Sequence, residues 1–185
     1  MSHEMSVRIR PLMRYLHFTY QSLLLGKPSD KVYRMTEEGE RRYQERYAVM
    51  VDELPLNTYI RAYRGQPMYG LRRPNHSLWI RERTGLDQFA TTEALEIGTS
   101  PNVPFLRASL MQGDPYVQEK YKQKGLSYHG GVRGVTLGWH LNGSGWNTKS
   151  DVSSVQMQAF GGGLNIFGLL LYGEQNKRTV KIDSA

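Results

Sequence analysis

Two segments near the N-terminus have apolar residues at helical spacing. The first runs from Pro11 to Leu25; proline suits the first helical position, Gly26 follows the last residue, and the apolar stripe is Leu12, Leu16, Tyr20 and Leu23. The second begins at Thr36, a suitable N-cap, and ends before Pro55, with the stripe Tyr43, Tyr47, Met50 and Leu54. We therefore predict a helical hairpin within residues 1–55.

The pattern changes to alternation after Leu56. The segments NTYIRAYR and SLWIRER alternate apolar and polar residues, and a loop rich in glycine, proline and arginine separates them. This is typical of two strands joined by a long loop. A third helix is predicted near residues 114–124, because Asp114 is a good N-cap, Pro115 suits the first turn and Gly125 follows the last residue.

The C-terminal third is rich in glycine and resembles a series of strands. Its apolar segments are LSYHGGVRGVTLGWHL, SSVQMQAF, LNIFGLLLYG and RTVKID, and the glycines of Asn142–Gly145 and Gly161–Gly163 are predicted to form turns. Helices followed by strands indicate the α+β class. We predict a single domain over residues 1–185, with a helical part in 1–55 and, in 56–185, a mainly antiparallel glycine-rich C-terminal sheet and one helix.

Composition limits the chemistry. The 185 residues include 24 Lys and Arg, 17 Asp and Glu, and no cysteine, for a net charge of +7. Without cysteine the chain cannot form disulfides, Cys-ligated zinc sites or iron–sulfur clusters, and it has no thiol nucleophile. The basic charge lies mainly in residues 1–83. A charge of this sign favours acidic partners, with single-stranded RNA or DNA among them.

The segment from Leu56 to Arg83 combines arginines with aromatic residues. Arginine binds phosphate through its planar fork and aromatic rings stack on bases, so we predict nucleic-acid contacts from Arg61, Arg64, Arg72, Arg73, Arg81, Arg83, Tyr59, Tyr63, Tyr69 and Trp79. The same residue types also anchor protein–protein interfaces. A third interpretation is an ordinary strand with solvated arginines and buried rings.

An enzymatic alternative rests on His129 and His140. Two imidazoles with Arg133 nearby could transfer a phosphodiester without a metal, as in a small ribonuclease. An odd separation on one continuous strand would place the two histidines on opposite faces, which counts against a shared site. The sequence has no HExxH motif and no histidine pair at i,i+4, so no metal and no other cofactor is predicted.

No membrane span and no cleavable secretory signal are predicted. The most apolar stretch, Leu164–Tyr172, has nine residues, whereas a spanning helix needs about 20. We predict a cytoplasmic, intracellular or virion protein whose apolar C-terminal strand is buried or mediates homo-oligomerisation. The favoured function is a non-enzymatic nucleic-acid-binding and assembly protein, such as a structural subunit of a virion, phage particle or nucleoprotein complex. A purely structural oligomer subunit without nucleic acid is the further alternative.

Overall fold

The computed structural model describes residues 2–7, 16–25, 42–66, 68–70, 91–115, 117–134, 138–166 and 169–182. These residues form ten strands: β1 (Ser2–Val7), β2 (Leu16–Leu25), β3 (Arg42–Leu54), β4 (Thr58–Gly65), β5 (Thr92–Thr99), β6 (Pro104–Gly113), β7 (Lys124–Arg133), β8 (His140–Lys149), β9 (Ser153–Ile166) and β10 (Leu169–Ile182). All ten belong to one sheet in sequence order, and each strand pairs antiparallel with the next.

The prediction of an α+β fold with an N-terminal helical hairpin is wrong. The segments predicted as helices contain β2 and β3, which pair from Leu16 opposite Val51 to Leu25 opposite Arg42. In β3, Tyr47, Val49 and Val51 also occur at every second position, and β-branched and aromatic side chains favour the extended backbone. β2 and β3 each pair with a strand on both sides, and this pairing favours the extended backbone over the helix.

The third predicted helix is also wrong. Between Asp114 and Lys124 the described residues hold one three-residue 3₁₀ turn, Glu119–Tyr121; a second such turn, Pro55–Asn57, links β3 to β4. Asp114 accepts hydrogen bonds from the side chains of Arg64 and Thr91. Its carboxylate therefore links neighbouring strands and does not cap a helix.

The two glycine-rich segments predicted as turns lie inside strands. Asn142–Gly145 is part of β8, and Gly161–Gly163 is part of β9. Tyr128 on β7 is paired with Gly145, and a Cβ atom at Gly145 would lie 2.1 Å from the tyrosine ring. Glycine at this position therefore lets the tyrosine ring lie flat across the neighbouring strand.

The sheet is curved, and one face is concave. Tyr63, Ala94 and Met111 on β4 to β6 pack in one cluster with Trp146 and Met157 on β8 and β9. In a flat sheet, β4 and β9 would be about 24 Å apart, since neighbouring strands are separated by about 4.8 Å. Contact within one cluster requires the sheet to bend around this face, which we call the inner face; the opposite side is the outer face.

Candidate functional site

The inner face carries a buried ion pair. Glu96 on β5 is fully buried and accepts hydrogen bonds from Tyr59 (2.7 Å), Arg61 (2.9 Å) and Ser109 (2.9 Å). Arg61 and Ser109 lie directly opposite Glu96 on the two neighbouring strands, so the register brings the three side chains together. Burial, together with the hydrogen bond to Glu96, raises the pKa of Tyr59, which keeps the phenol protonated as a donor.

Further polar side chains continue this interior along β6, β7 and β8. Arg107 lies opposite His129, which in turn lies opposite Ser144. Ser127 and Asn142 are diagonal neighbours of this row on the same face, and both are buried. We call these five residues the polar cluster; they lie beside the ion pair of Glu96.

The segment Met68–Gly70 covers part of the inner face. The Gly70 amide donates to Ser144 Oγ at 2.9 Å. The ring of Tyr69 packs edge-on against Trp146, with centroids 6.4 Å apart. Met68 Sδ lies 3.8 Å from a terminal nitrogen of Arg107. The chain between β4 and β5 therefore enters the concave side and reaches β6, β8 and β10.

His129 is expected to titrate well below the usual range of histidine. Burial, and then the charge of Arg107, lower its pKa from 6.5 to about 4, while Glu96 opposes this shift. Between pH 4 and 6.5 the unfolded chain therefore binds more protons than the folded chain. Titration of His129 does not reduce the free energy of unfolding above about pH 6.5, and it reduces this free energy progressively as the pH falls towards 4. The histidine ring signals in an NMR titration measure the midpoint directly. A midpoint for His129 near 6.5 would contradict the burial described for it.

The outer face has the opposite character. Most of the exposed large apolar side chains of the described strands lie there: Phe18, Val49, Val51, Ile60, Leu95, Ile97, Leu106, Leu110, Leu126, Tyr128, Val132, Leu141, Phe160, Ile166, Leu169 and Leu171. Leu106 is 57% exposed and Phe160 64% exposed. We call this surface the apolar band. Exposed apolar surface on this scale is typical of a region that contacts another molecule or a membrane.

The apolar band runs obliquely across the sheet. Following the strand pairings from β5 to β9, Glu96 lies in the same row across the sheet as Met157. The outward apolar stretch is centred on position 96 in β5, between Leu95 and Ile97, but on Gly163 in β9, six residues beyond Met157. This is a shift of about 20 Å along the strands for about 19 Å across them. The band is therefore inclined by about 45° to the direction of strand pairing.

Polar residues border the band on the outer face. At the Gly65 end of β4, the paired residues Tyr47, Arg64 and Glu93 face outwards, and the Tyr47 hydroxyl donates to Glu93. On β8 to β10, the outward residues nearer to Lys149, Ser153 and Ile182 are polar. They are Asn147, Gln156, Gln158, Lys177 and Thr179. The band itself contains no charged residue in the described strands.

The described members of the predicted arginine-rich site do not share one surface. Arg61 faces inwards, pairs with Glu96 and lies 4.1 Å above the ring of Tyr63. Arg64 faces outwards and pairs with Asp114 at 3.2 Å. Tyr59, Tyr63 and Tyr69 all lie on or against the inner face. The remaining predicted residues lie outside the described part of the chain: Arg72, Arg73, Arg81, Arg83 and Trp79.

The alternative catalytic residues lie on one face but far apart. His129 is level with Ser144, and His140 is level with Arg133. The hairpin between β7 and β8 thus brings both histidines to the inner face. Four residues of β8 separate the two levels, which corresponds to about 13 Å along the strand. Arg133 donates to Asn102 O and Ser100 Oγ. This geometry does not bring the three side chains to one phosphodiester.

Sequence reasoning missed the residues that form the interior. These are Glu96, Arg107, Ser109, Ser127, Asn142 and Ser144. The signal was present in β5, TEALEIGT, where Glu96 lies between Leu95 and Ile97 in strict alternation. Such alternation identifies two faces but does not say which one is buried.

Comparisons with known proteins add no relatives. No family model matches the chain, and no curated protein or solved structure matches it. Within the described ranges, no group of three or more His, Asp or Glu side chains is arranged to hold a metal ion. No helix among the described residues has the length and apolar character required to span a bilayer.

Proposed function

We propose that the protein is a non-enzymatic membrane protein whose curved sheet lies in a lipid bilayer, with the apolar band against the acyl chains. The observation that carries this proposal is the inverted distribution of polarity. An ion pair and several hydroxyl and amide groups are buried on the concave face, while the apolar band on the convex face is exposed and carries no charged side chain. In water this arrangement is unfavourable, since each Å² of exposed apolar surface costs about 25 cal/mol relative to burial.

The inclination of the band supports lipid as its occupant. Strands that cross a bilayer are tilted by about 35–45° to the membrane normal, so a belt parallel to the membrane crosses the hydrogen-bonded rows obliquely. The band has this inclination between β5 and β9, and polar residues of the outer face border it on the side that contains Glu93 and Gln156. A flat protein partner would impose no such relation between apolar surface and strand direction.

Strand length supports the same occupant. β6, β7 and β8 have 10 residues each, and β9 and β10 have 14. Crossing a bilayer with tilted strands takes about 9–11 residues, whereas strands of soluble proteins most often have about 5–6. In a bilayer every backbone amide needs a partner, and sequential antiparallel pairing supplies a neighbour on both sides of each strand from β2 to β9.

Single cysteines test the proposal directly, because the chain has none of its own. Leu106 and Phe105 are adjacent on β6 and face outwards and inwards, respectively. We expect bimane attached to Leu106→Cys in phosphatidylcholine vesicles to be quenched strongly by brominated acyl chains. Phe105→Cys is the inward control, and Gln158→Cys is an outward control beyond the band; both should be quenched weakly.

Two results would overturn the proposal. One is equal quenching at Leu106→Cys and Phe105→Cys, which would show that the outer face does not contact acyl chains. The other is a folded chain that remains in the aqueous fraction when vesicles are floated. A defined oligomer in that fraction would instead favour an assembly subunit in which copies of the chain cover the apolar band.

Nucleic-acid binding is the second candidate function. It is favoured by the net charge of +7 and by the arginines between Leu56 and Arg83. On this proposal, binding of single-stranded RNA or DNA weakens steeply with rising salt, and replacing Arg72 and Arg73 by alanine makes the dependence on salt less steep. Binding that does not respond to salt would eliminate it. A virion or intracellular location belongs to this candidate and not to the first.

A further inference from the structure

We propose that the polar cluster of Arg107, Ser127, His129, Asn142 and Ser144 binds a small oxyanion of the carboxylate or phosphate class on the inner face. The inference concerns the interior alone and holds whatever covers the apolar band. It rests on the charge at this place, on buried polar atoms without a partner, and on the arrangement of hydrogen-bond donors around them.

Arg107 brings a positive charge into the cluster. Two carboxylates face the same interior nearby: Glu96, whose oxygens already accept from Tyr59, Arg61 and Ser109, and Glu174 on β10, which lies against Gly70 and accepts from Asn176. A terminal nitrogen of Arg107 lies 3.8 Å from Met68 Sδ. A thioether is a weak acceptor and carries no charge, and none of the ion pairs among the described residues involves this guanidinium.

Four buried polar atoms of the cluster have no hydrogen-bond partner in the described chain. They are Arg107 Nε, His129 Nδ1, Ser127 Oγ and Asn142 Oδ1. Ser127 is 1% exposed, Asn142 4% and His129 8%. Leaving buried polar groups unpaired is unfavourable, and most such groups in proteins have partners. Several of them side by side on one face indicate that the cluster is built to hold a polar ligand.

The donor geometry fits an oxyanion. Arg107, His129 and Ser144 form one row across β6, β7 and β8, and Asn142 and Ser127 flank this row. Guanidinium, imidazole and hydroxyl groups can donate to oxygen atoms, whereas the unpaired Asn142 Oδ1 can only accept, for example from a protonated oxygen of the ligand. Arginine prefers the planar, two-pronged arrangement of carboxylate and phosphate. Ser144 Oγ accepts from the Gly70 amide and so can direct its own proton to the ligand.

The test follows the ring signals of His129 by NMR in the full chain with labelled histidine. We expect inorganic phosphate, and separately acetate, to shift these signals saturably and to raise the pKa of His129 by about 1 unit or more, because a nearby anion stabilises the imidazolium. Sodium chloride at equal ionic strength controls for screening. Saturation by phosphate only, or by acetate only, identifies which oxyanion the cluster accepts.

Variants separate the cluster from general charge effects. Arg107→Gln should abolish the saturable shift, whereas Arg133→Gln, at an exposed arginine of the same face, should retain it. Because Arg107→Gln could disturb folding, Asn142→Asp is the second variant. It places a carboxylate within the cluster and should raise the pKa of His129 without added anion and remove the response to phosphate.

The inference is overturned if the wild-type chain shows no saturable shift with either anion. It is also overturned if folded Arg107→Gln, or Asn142→Asp, responds to phosphate as the wild-type chain does. These outcomes are independent of the bilayer experiment, since the vesicle measurement reports on the outer face and the histidine titration on the inner face.

Discussion

Replacing Ile97 with lysine is expected to destabilise the bilayer-inserted chain by about 2–4 kcal/mol, the cost typical of a basic side chain at the middle of a lipid-facing strand. Ile97 is 52% exposed on the outer face and lies between Ile60 and Ala108 in the pairing of β4, β5 and β6. Lysine at this position would lie among acyl chains, where its charge is poorly solvated. Denaturant unfolding in phosphatidylcholine vesicles measures the change.

Gln158→Lys is the matched control. Through successive pairings Gln158 belongs to the same row as Ile97 and faces the same side, but it lies outside the apolar band. We expect its effect to stay within about 0.5 kcal/mol, as for an ordinary surface substitution. An equally small effect of Ile97→Lys would mean that Ile97 faces water, and it would contradict the proposed bilayer location.

The second large effect is expected at Glu96. Replacing it with alanine removes the acceptor of three side-chain hydrogen bonds and leaves Arg61 without its counter-ion. Breaking a buried ion pair from one side costs about 3–5 kcal/mol, because the remaining charge is left uncompensated. The free energy of unfolding should fall by this amount relative to the wild-type chain.

Glu119→Ala is the control for Glu96→Ala. Glu119 also pairs with basic residues, Lys122 and Lys124, but its side chain is largely exposed. Exposed ion pairs are screened by water and contribute little to stability, so we expect a much smaller change than at Glu96. The double variant Glu96→Ala with Arg61→Ala should cost less than the sum of the single changes, since it removes the unpaired charge. Additive costs would show that Arg61 and Glu96 do not interact.

The fold could be predicted from the sequence only in part, and the errors have a physical cause. Both Pro11–Leu25 and Arg42–Leu54 have four apolar residues at helical spacing, yet both also have large apolar residues at every second position, as in Leu16–Tyr20 and Tyr47–Val51. Local pattern alone does not choose between these periods, because the choice depends on whether neighbouring strands supply backbone partners. The prediction of turns in the glycine-rich segments failed for a related reason. A glycine that leaves room for a neighbouring aromatic ring inside a strand cannot be distinguished by sequence from a glycine in a turn.

The direction of the side chains was the second source of error. The sequence shows six arginines between Leu56 and Arg83, but Arg61 and Arg64 have an odd separation on one strand and so face opposite sides. A rule that polar side chains face the solvent would invert β5, because Glu96 is buried while Leu95 and Ile97 are exposed. Which side is inside depends on what surrounds the sheet.

The sequential order of the strands has a consequence for how the chain reaches its native state. Every pairing joins neighbours in sequence, and most hairpins close a short loop; the longest connection runs from Gly65 to Thr92. Short closures lose little chain entropy and form quickly. The protein can therefore grow strand by strand from any completed hairpin, and each added strand extends an edge that is ready to accept it.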